Sequence, residues 1–312
     1  MRLAVTGANG FIGKYLLASL SGKGYILTAV VRSAYLENFP ENCTVKKIDN
    51  LDEKQNWHEI LKDQDIVVHC AARVHVMQDR AADPLAEFRK VNVEGTLNLA
   101  RQAAKAGVRR FIFLSSIKVN GEETSRISFF KPDDMYNPRD AYGISKMEAE
   151  KGLWEVASDT GMELVVIRPV LVYGPGVKGN FNKILIWLDK GLPLPLGAVN
   201  NLRSMVSLEN LTDFIVLCAK HASAANEVFL VSDGNDISTT DLLRAVGKSM
   251  GRPSRLLPVP DSWLHFGAVL LGKKVVAQRL LGSLRVDISK NIELLGWKPP
   301  LSVEEGLRRC IK

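Results

Sequence analysis

The chain has 312 residues, 46% hydrophobic and 24% charged, and its 41 basic side chains outnumber 34 acidic ones for a net charge of +7. That length suits one large or two intimate domains with ample core, and the longest apolar runs, such as WLHFGAVLLG, are about half a membrane span, so no membrane insertion is expected. The basic residues are spread along the chain rather than gathered into an aromatic-rich stripe, which argues against nucleic acid and suits a cationic cleft for an anionic small molecule.

The first strand, LAVTG, begins almost at the first residue, and no secretory leader is expected. ILTAVV, TVKKI, DIVVHCA, RFIFLSS and ELVVIRP follow, with helical periods near 11–22, 52–62, 83–106 and 140–160 between them. Near-continuous Val/Ile/Leu strands alternating with helices predict an α/β fold, a Rossmann-type doubly wound parallel sheet covered on both faces. After Pro169 the alternation breaks at YGPGVKGN and GLPLPLGAVNN. The expected division is a nucleotide-binding domain over 1–172 and a smaller mixed substrate-binding part over 173–312, with about 205–235 packing back on the first. The apolar helices near 261–284 are expected to pack internally. Cys43, Cys70, Cys218 and Cys310 are scattered with no CxxC pair, so neither disulfides nor a metal site is expected, and a reducing cytoplasm fits.

AVTGANGFIG puts Gly7, Gly10 and Gly13 directly after the first strand and at the start of the first helix. Glycines there let the backbone turn tightly and let a diphosphate reach the helix N-terminus, where free N–H groups and the helix dipole favour an anion. Asn9, Phe11 and Ile12 complete that turn. A carboxylate at the end of the second strand would hold the free 2′-hydroxyl of NAD, but Val31, Arg32 and Ser33 offer none. Arg32 suits the 2′-phosphate of NADP through charge-assisted hydrogen bonds. NADP(H) is therefore the favoured cofactor, with NAD(H) as the alternative.

DAYGISKMEAE places Tyr142 and Lys146 four residues apart on one helix face. A free phenol has a pKa of about 10; a nearby ammonium stabilises the phenolate, so the pair is a proton-transfer group able to work near neutrality.

The G-x-x-G-x-x-G spacing, read with these residues, resembles the extended branch of the short-chain dehydrogenase/reductase family, which acts on nucleotide sugars, and the resemblance spans nearly the whole chain. By that resemblance Ser116, in SSIKVNG, hydrogen-bonds the reacting sugar oxygen and Ser115 is a structural neighbour. Tyr142 moves the proton, and Lys146 holds the nicotinamide ribose. Asp49 and Asn50 resemble adenine-edge contacts. Ala71 and Ala72, after a structural His69, let the backbone approach the dinucleotide. Asn92 braces the central sheet, and Arg168 with Pro169 passes beside the nicotinamide. On the substrate side, Arg203 matches a diphosphate-binding arginine, Arg279 lies near a second, and Asn180 resembles a substrate contact. Lys118 is a solvated or substrate-facing cation. Asn120 departs from the family's usual tyrosine, and Ser207 stands where histidine is common. Ile117 and Lys118 replace the acid and base that a 4,6-dehydratase needs, which argues against dehydration. The resemblance thus implies hydride transfer at C4 of a nucleotide sugar, UDP-linked by preference, in a homodimer. Reduction of a 4-keto sugar is favoured, 4-epimerisation with tightly bound NAD is the alternative, and a non-enzymatic dinucleotide sensor is the competing class.

Overall fold

The computed structural model describes residues 1–32, 39–74, 83–177 and 180–311, apart from the side chains at 180, 182, 183, 274 and 275. Strands β1 (Arg2–Thr6), β2 (Ile26–Val31), β3 (Cys43–Lys47), β4 (Ile66–His69), β5 (Arg110–Leu114) and β6 (Glu163–Pro169) coincide with the six expected ones. Beyond them lie β7 (Leu171–Tyr173), β8 (Met205–Ser207) and β9 (Glu227–Val231). Seven strands form one sheet in the order β3-β2-β1-β4-β5-β6-β9, with every ladder parallel; β7 and β8 pair separately. β9, unremarked in the sequence, adds the last strand, pairing with β6 from Val165 opposite Glu227 to Pro169 opposite Val231.

The two-residue period of a strand divides its side chains between two cores. Leu3, Val5, Ile112 and Leu114 face one; Ala4, Val67, Phe111 and Phe113 face the other. The first seven helices are α1 (Phe11–Leu20), α2 (His58–Leu61), α3 (Pro84–Arg89), α4 (Thr96–Lys105), α5 (Ala141–Thr160), α6 (Asn180–Asp189) and α7 (Leu208–Lys220). α1 and α7 close the first core, α4 and α5 the second. A third core in the C-terminal part gathers Tyr173, Phe181, Leu243 and Leu307 among α6, α8 (Thr239–Ser249), α9 (Asp261–Leu270) and α10 (Lys274–Leu281); α11 (Ser289–Leu295) sends Leu295 into the first core, and α12 (Val303–Ile311) returns to the third.

The helix expected over 52–62 is only the short α2, because Asn98 donates to the carbonyls of Asp52 and Gln55, and Gln102 to that of Gln55, holding this backbone out of a helix. The run over 83–106 is helical throughout, yet its middle, Lys90–Gly95, is a π-helical turn. The internal packing expected near 261–284 is only partial for α9, where Leu264 and Ala268 pack against the C-terminal core but no residue is fully buried, whereas α10 buries Ala277 and Leu281. Among the described residues no helix is long and apolar enough to cross a membrane, and the four cysteines are free thiols.

Candidate active site

Strand order reverses between β1 and β4, which opens a crevice at their C-terminal ends. The glycine turn lines it. Gly7 has φ +65, and a Cβ there would lie 2.8 Å from the backbone of Ala71, so only glycine lets β1 and β4 exit this close together. A Cβ on Gly13 would sit 2.4 Å from the Gly7 carbonyl oxygen. Gly10 caps α1 without a side chain, and the first turn carries no acidic residue. The N–H groups of Phe11, Ile12 and Gly13, which have no partner within the helix, are left to face an anion. Ala71 and Ala72, both partly buried, line the β4 exit. Arg32 stands exposed just past β2, and Asp49 and Asn50 stand exposed past β3. Pro169 is the buried end of β6.

His69 is a clamp. Its Nδ1 lies 2.7 Å from the Thr6 hydroxyl and its Nε2 lies 3.0 Å from that of Thr96. Burial, then the nearby Lys146 charge, pushes its pKa down to about 3, so the ring is neutral. Asn92 is a second clamp, presented by the π-helical turn. It accepts from the Arg73 N–H at 2.8 Å and donates to the Arg73 carbonyl and to the Ser145 hydroxyl, both at 3.0 Å. Ser145 in turn donates to the Tyr142 carbonyl at 2.8 Å.

Asp140 caps α5 by accepting from the Gly143 N–H at 2.7 Å, and Gly161 ends the helix in the left-handed conformation. Steps of four along α5 place Tyr142, Lys146 and Glu150 on one face. Lys146 is buried, donates to the Leu114 carbonyl at 2.7 Å and sits 4.4 Å above the Phe113 ring. Burial pulls its pKa down to about 8, opposed by Cys70 and Glu150. Tyr142 meets Phe88 edge-on at 6.1 Å. Its phenol differs from expectation: enclosure, followed by the Asp140 carboxylate, pushes its pKa above the ordinary value rather than below it. The Lys146 head is engaged with the end of β5, and the Asp140 carboxylate bears on the phenol.

Ser116 caps the 3-10 turn Ile117–Val119, accepting from the Lys118 N–H at 3.3 Å. Its neighbour Ser115 is buried and donates to the Glu150 carboxylate. That carboxylate also takes the Arg168 guanidinium through Nε at 3.0 Å and Nη2 at 2.6 Å, and Arg168 Nη1 donates to Asn120 Oδ1 at 3.0 Å. Asn120 is therefore a bracket between the serine turn and β6, and its amide also donates to the Lys131 carbonyl at 2.9 Å. Glu150 is a site residue outside the family motifs, and its position four residues after Lys146 is the sequence signal for it. Lys118 pairs with Asp140 and lies 3.6 Å from Glu122, tying the serine turn to the cap of α5.

The segment after that turn runs to the arginines. Thr124 pairs with Ser283, and Phe130 with Val286. Arg203 lies on the same strip, bridging to Leu284 and donating to the Gly282 carbonyl at 3.0 Å. Burial pulls the Arg203 guanidinium below its usual pKa; Glu123 opposes this and the nearby Arg279 adds to it. Two arginines 76 positions apart in sequence (279 − 203) thus converge. Ser207 caps α7, and its N–H donates to Asp233 at 2.8 Å. Asn180 opens α6, but its side chain lies outside the described residues.

Residues 3–232 match the NAD dependent epimerase/dehydratase family. The chain is 46% identical over 309 residues to a UDP-glucose 4-epimerase of Vibrio cholerae, covering 98% of this chain and 93% of that one. It is 28% identical over 320 residues to the N-acetyl-alpha-D-glucosaminyl-diphospho-ditrans,octacis-undecaprenol 4-epimerase of Escherichia coli O157:H7, covering 98% and 93%. Its fold matches a UDP-glucuronic acid 4-epimerase of Bacillus cereus in complex with NAD, with a TM-score of 0.79 at 20% identity over 100% of this chain and 96% of that one.

Proposed function

Because this chain belongs to the NAD dependent epimerase/dehydratase family, we propose that it is a UDP-sugar 4-epimerase. The observation that carries this is the Tyr142–Lys146 face of α5 beside the Ser116 turn, in a chain 46% identical to a UDP-glucose 4-epimerase over nearly its whole length. That identity favours epimerisation over the 4-keto reduction preferred on sequence grounds.

The cradle fits a dinucleotide. Gly7 and Gly13 stand where any Cβ would fill the approach, and a bare helix N-terminus with no carboxylate faces it. The glycine turn and the first turn of α1 would hold the diphosphate, and Lys146 the nicotinamide ribose. The bound dinucleotide supplies a hydride acceptor and donor and, when oxidised, a positive ring charge. The family's description and the Bacillus cereus structure support NAD; the preference for NADP read from Arg32 finds no such support.

The protein's own residues handle the proton and the sugar. Ser116 offers its hydroxyl to the C4 oxygen. Tyr142 takes the C4 hydroxyl proton as the alcohol is oxidised and returns it after the keto sugar has turned its other face. Enclosure favours the protonated phenol, so the oxygen needs a nearby positive charge to give up its proton at neutral pH. Arg203 and Arg279 clamp the diphosphate and leave the sugar free to rotate. Incubation with UDP-glucose should yield UDP-galactose with no net consumption of nicotinamide, and the denatured protein should release NAD. Stoichiometric oxidation of added NADPH by a 4-keto sugar, without epimerisation, would favour the reductase instead.

A second reading concerns the carrier of the diphosphate. The Escherichia coli relative is named for a sugar joined through diphosphate to undecaprenol. The exposed apolar helix α9 next to α10, which bears Arg279, favours such a lipid carrier here.

A further inference from the structure

α9 is held on one side and bare on the other. Leu264 and Ala268 pack against the C-terminal core. Trp263, Phe266 and Leu270, at helical steps of three and four, are 74%, 69% and 71% exposed, and Leu271 extends the row at 72%. Single exposed apolar side chains are ordinary, but a contiguous row of large ones marks a surface meant to be covered. The charge along this stretch of chain is mainly positive. From Asp261 to Leu284 the chain carries Lys273, Lys274 and Arg279 against the one carboxylate of Asp261 at the start of the helix. Lys273 is exposed in the turn directly after the apolar row.

We propose that α9 and the turn after it dock on the surface of an anionic lipid bilayer, with Trp263, Phe266 and Leu270 set among the headgroups and Lys273 on lipid phosphates. The chemistry suits that occupant. Tryptophan prefers the boundary between water and hydrocarbon, and an apolar helix face flanked by lysine is the form of interfacial elements that lie on a membrane without crossing it. Ten residues of helix reach only about 15 Å, half the hydrocarbon thickness. A second copy of the chain is a poorer occupant, since the exposed row offers a few hundred Å² against the roughly 800 Å² per partner of a stable interface. Docking would bring α10, and with it the Arg203–Arg279 pair, to the lipid surface. It rests on α9 alone, so its failure would leave the epimerase reading untouched.

The test is co-sedimentation of the full chain with phosphatidylcholine vesicles, with and without added phosphatidylglycerol. The protein should bind the anionic vesicles and bind neutral ones weakly. Trp263→Ser with Phe266→Ser should lower vesicle affinity by about tenfold or more, with the thermal midpoint unchanged because neither side chain is buried. Lys273→Glu with Lys274→Glu should abolish the preference for anionic lipid. Absence of binding to either vesicle, or equal binding by the serine variant, would overturn the proposal. So would an oligomer, seen by light scattering, that the serine variant splits while vesicles stay unbound, which would make the occupant a second copy.

Discussion

Arg168 and Glu150 form a bidentate ion pair in the interior, the guanidinium 2% and the carboxylate 0% exposed, and the same carboxylate receives the Ser115 hydroxyl. The pair joins α5, which carries Tyr142 and Lys146, to β6 and to the end of β5, where Ser116 begins its turn. Removing one partner of a buried pair strands the other, which costs about 3–5 kcal/mol. Glu150→Gln and Arg168→Met should each lower stability by that order in denaturant unfolding, and the double variant should lose less than the sum. Additive losses would show that the two residues do not act as a unit.

Neighbouring serines should separate cleanly. Ser116→Ala removes the hydroxyl proposed to orient the sugar oxygen and should lower kcat by about 100-fold, with little change in melting temperature. Ser115→Ala removes a donor to the buried Glu150 and should lower stability by about 1–3 kcal/mol with a much smaller effect on kcat. Steady-state kinetics alongside calorimetry read both.

Tyr142→Phe keeps the ring against Phe88 and removes only the hydroxyl proposed to carry the proton. Turnover should fall by about 10²–10⁴-fold while the protein folds and retains its nicotinamide. Normal turnover in this variant would remove Tyr142 from the chemistry.

His69 gives a pH signature. Its folded pKa, about 3, lies below the 6.5 of the unfolded chain. The unfolded state therefore binds the extra proton, and stability is full above about pH 6.5 and falls as pH drops towards 3. Between pH 7 and pH 5 this group alone should remove about 2 kcal/mol. His69→Gln, which can still meet Thr6 and Thr96, should flatten that slope in unfolding measured across the range.

Arg203→Ala should raise KM for the UDP-sugar by roughly 10- to 100-fold through loss of charge-assisted hydrogen bonds, with kcat changed less. An unchanged KM would move the diphosphate elsewhere.

Most of the nucleotide-binding layer was legible because a parallel sheet buried on both faces must write itself as apolar runs between helices, and the glycine turn and Tyr-x-x-x-Lys carry fixed spacings. What escaped depended on contacts between distant segments. β9 is a strand because β6 offers it an edge, not because EVFLV announces one. The residues before His58 leave the helix because Asn98 and Gln102 capture their carbonyls. Spacing put Lys146 beside Tyr142, yet could not reveal that the ammonium turns to Leu114 and that the Asp140 carboxylate acts on the phenol. An apolar run such as that of α9 reads the same whether it is covered or bare.

The π-helical turn at Lys90–Gly95 divides one long helix into two segments whose rotational phases are set separately. Each residue of an α-helix advances about 100° around its axis, so the wide turn works as a one-residue phase shift. It lets α3 keep Phe88 against Tyr142 while α4 keeps Leu99 and Ala103 in the core. Deleting one residue there would restore regular winding and leave a continuous helix. It would also swing Asn92 out of reach of Arg73 and Ser145, yielding a well-folded protein whose Tyr142 has lost its angular reference.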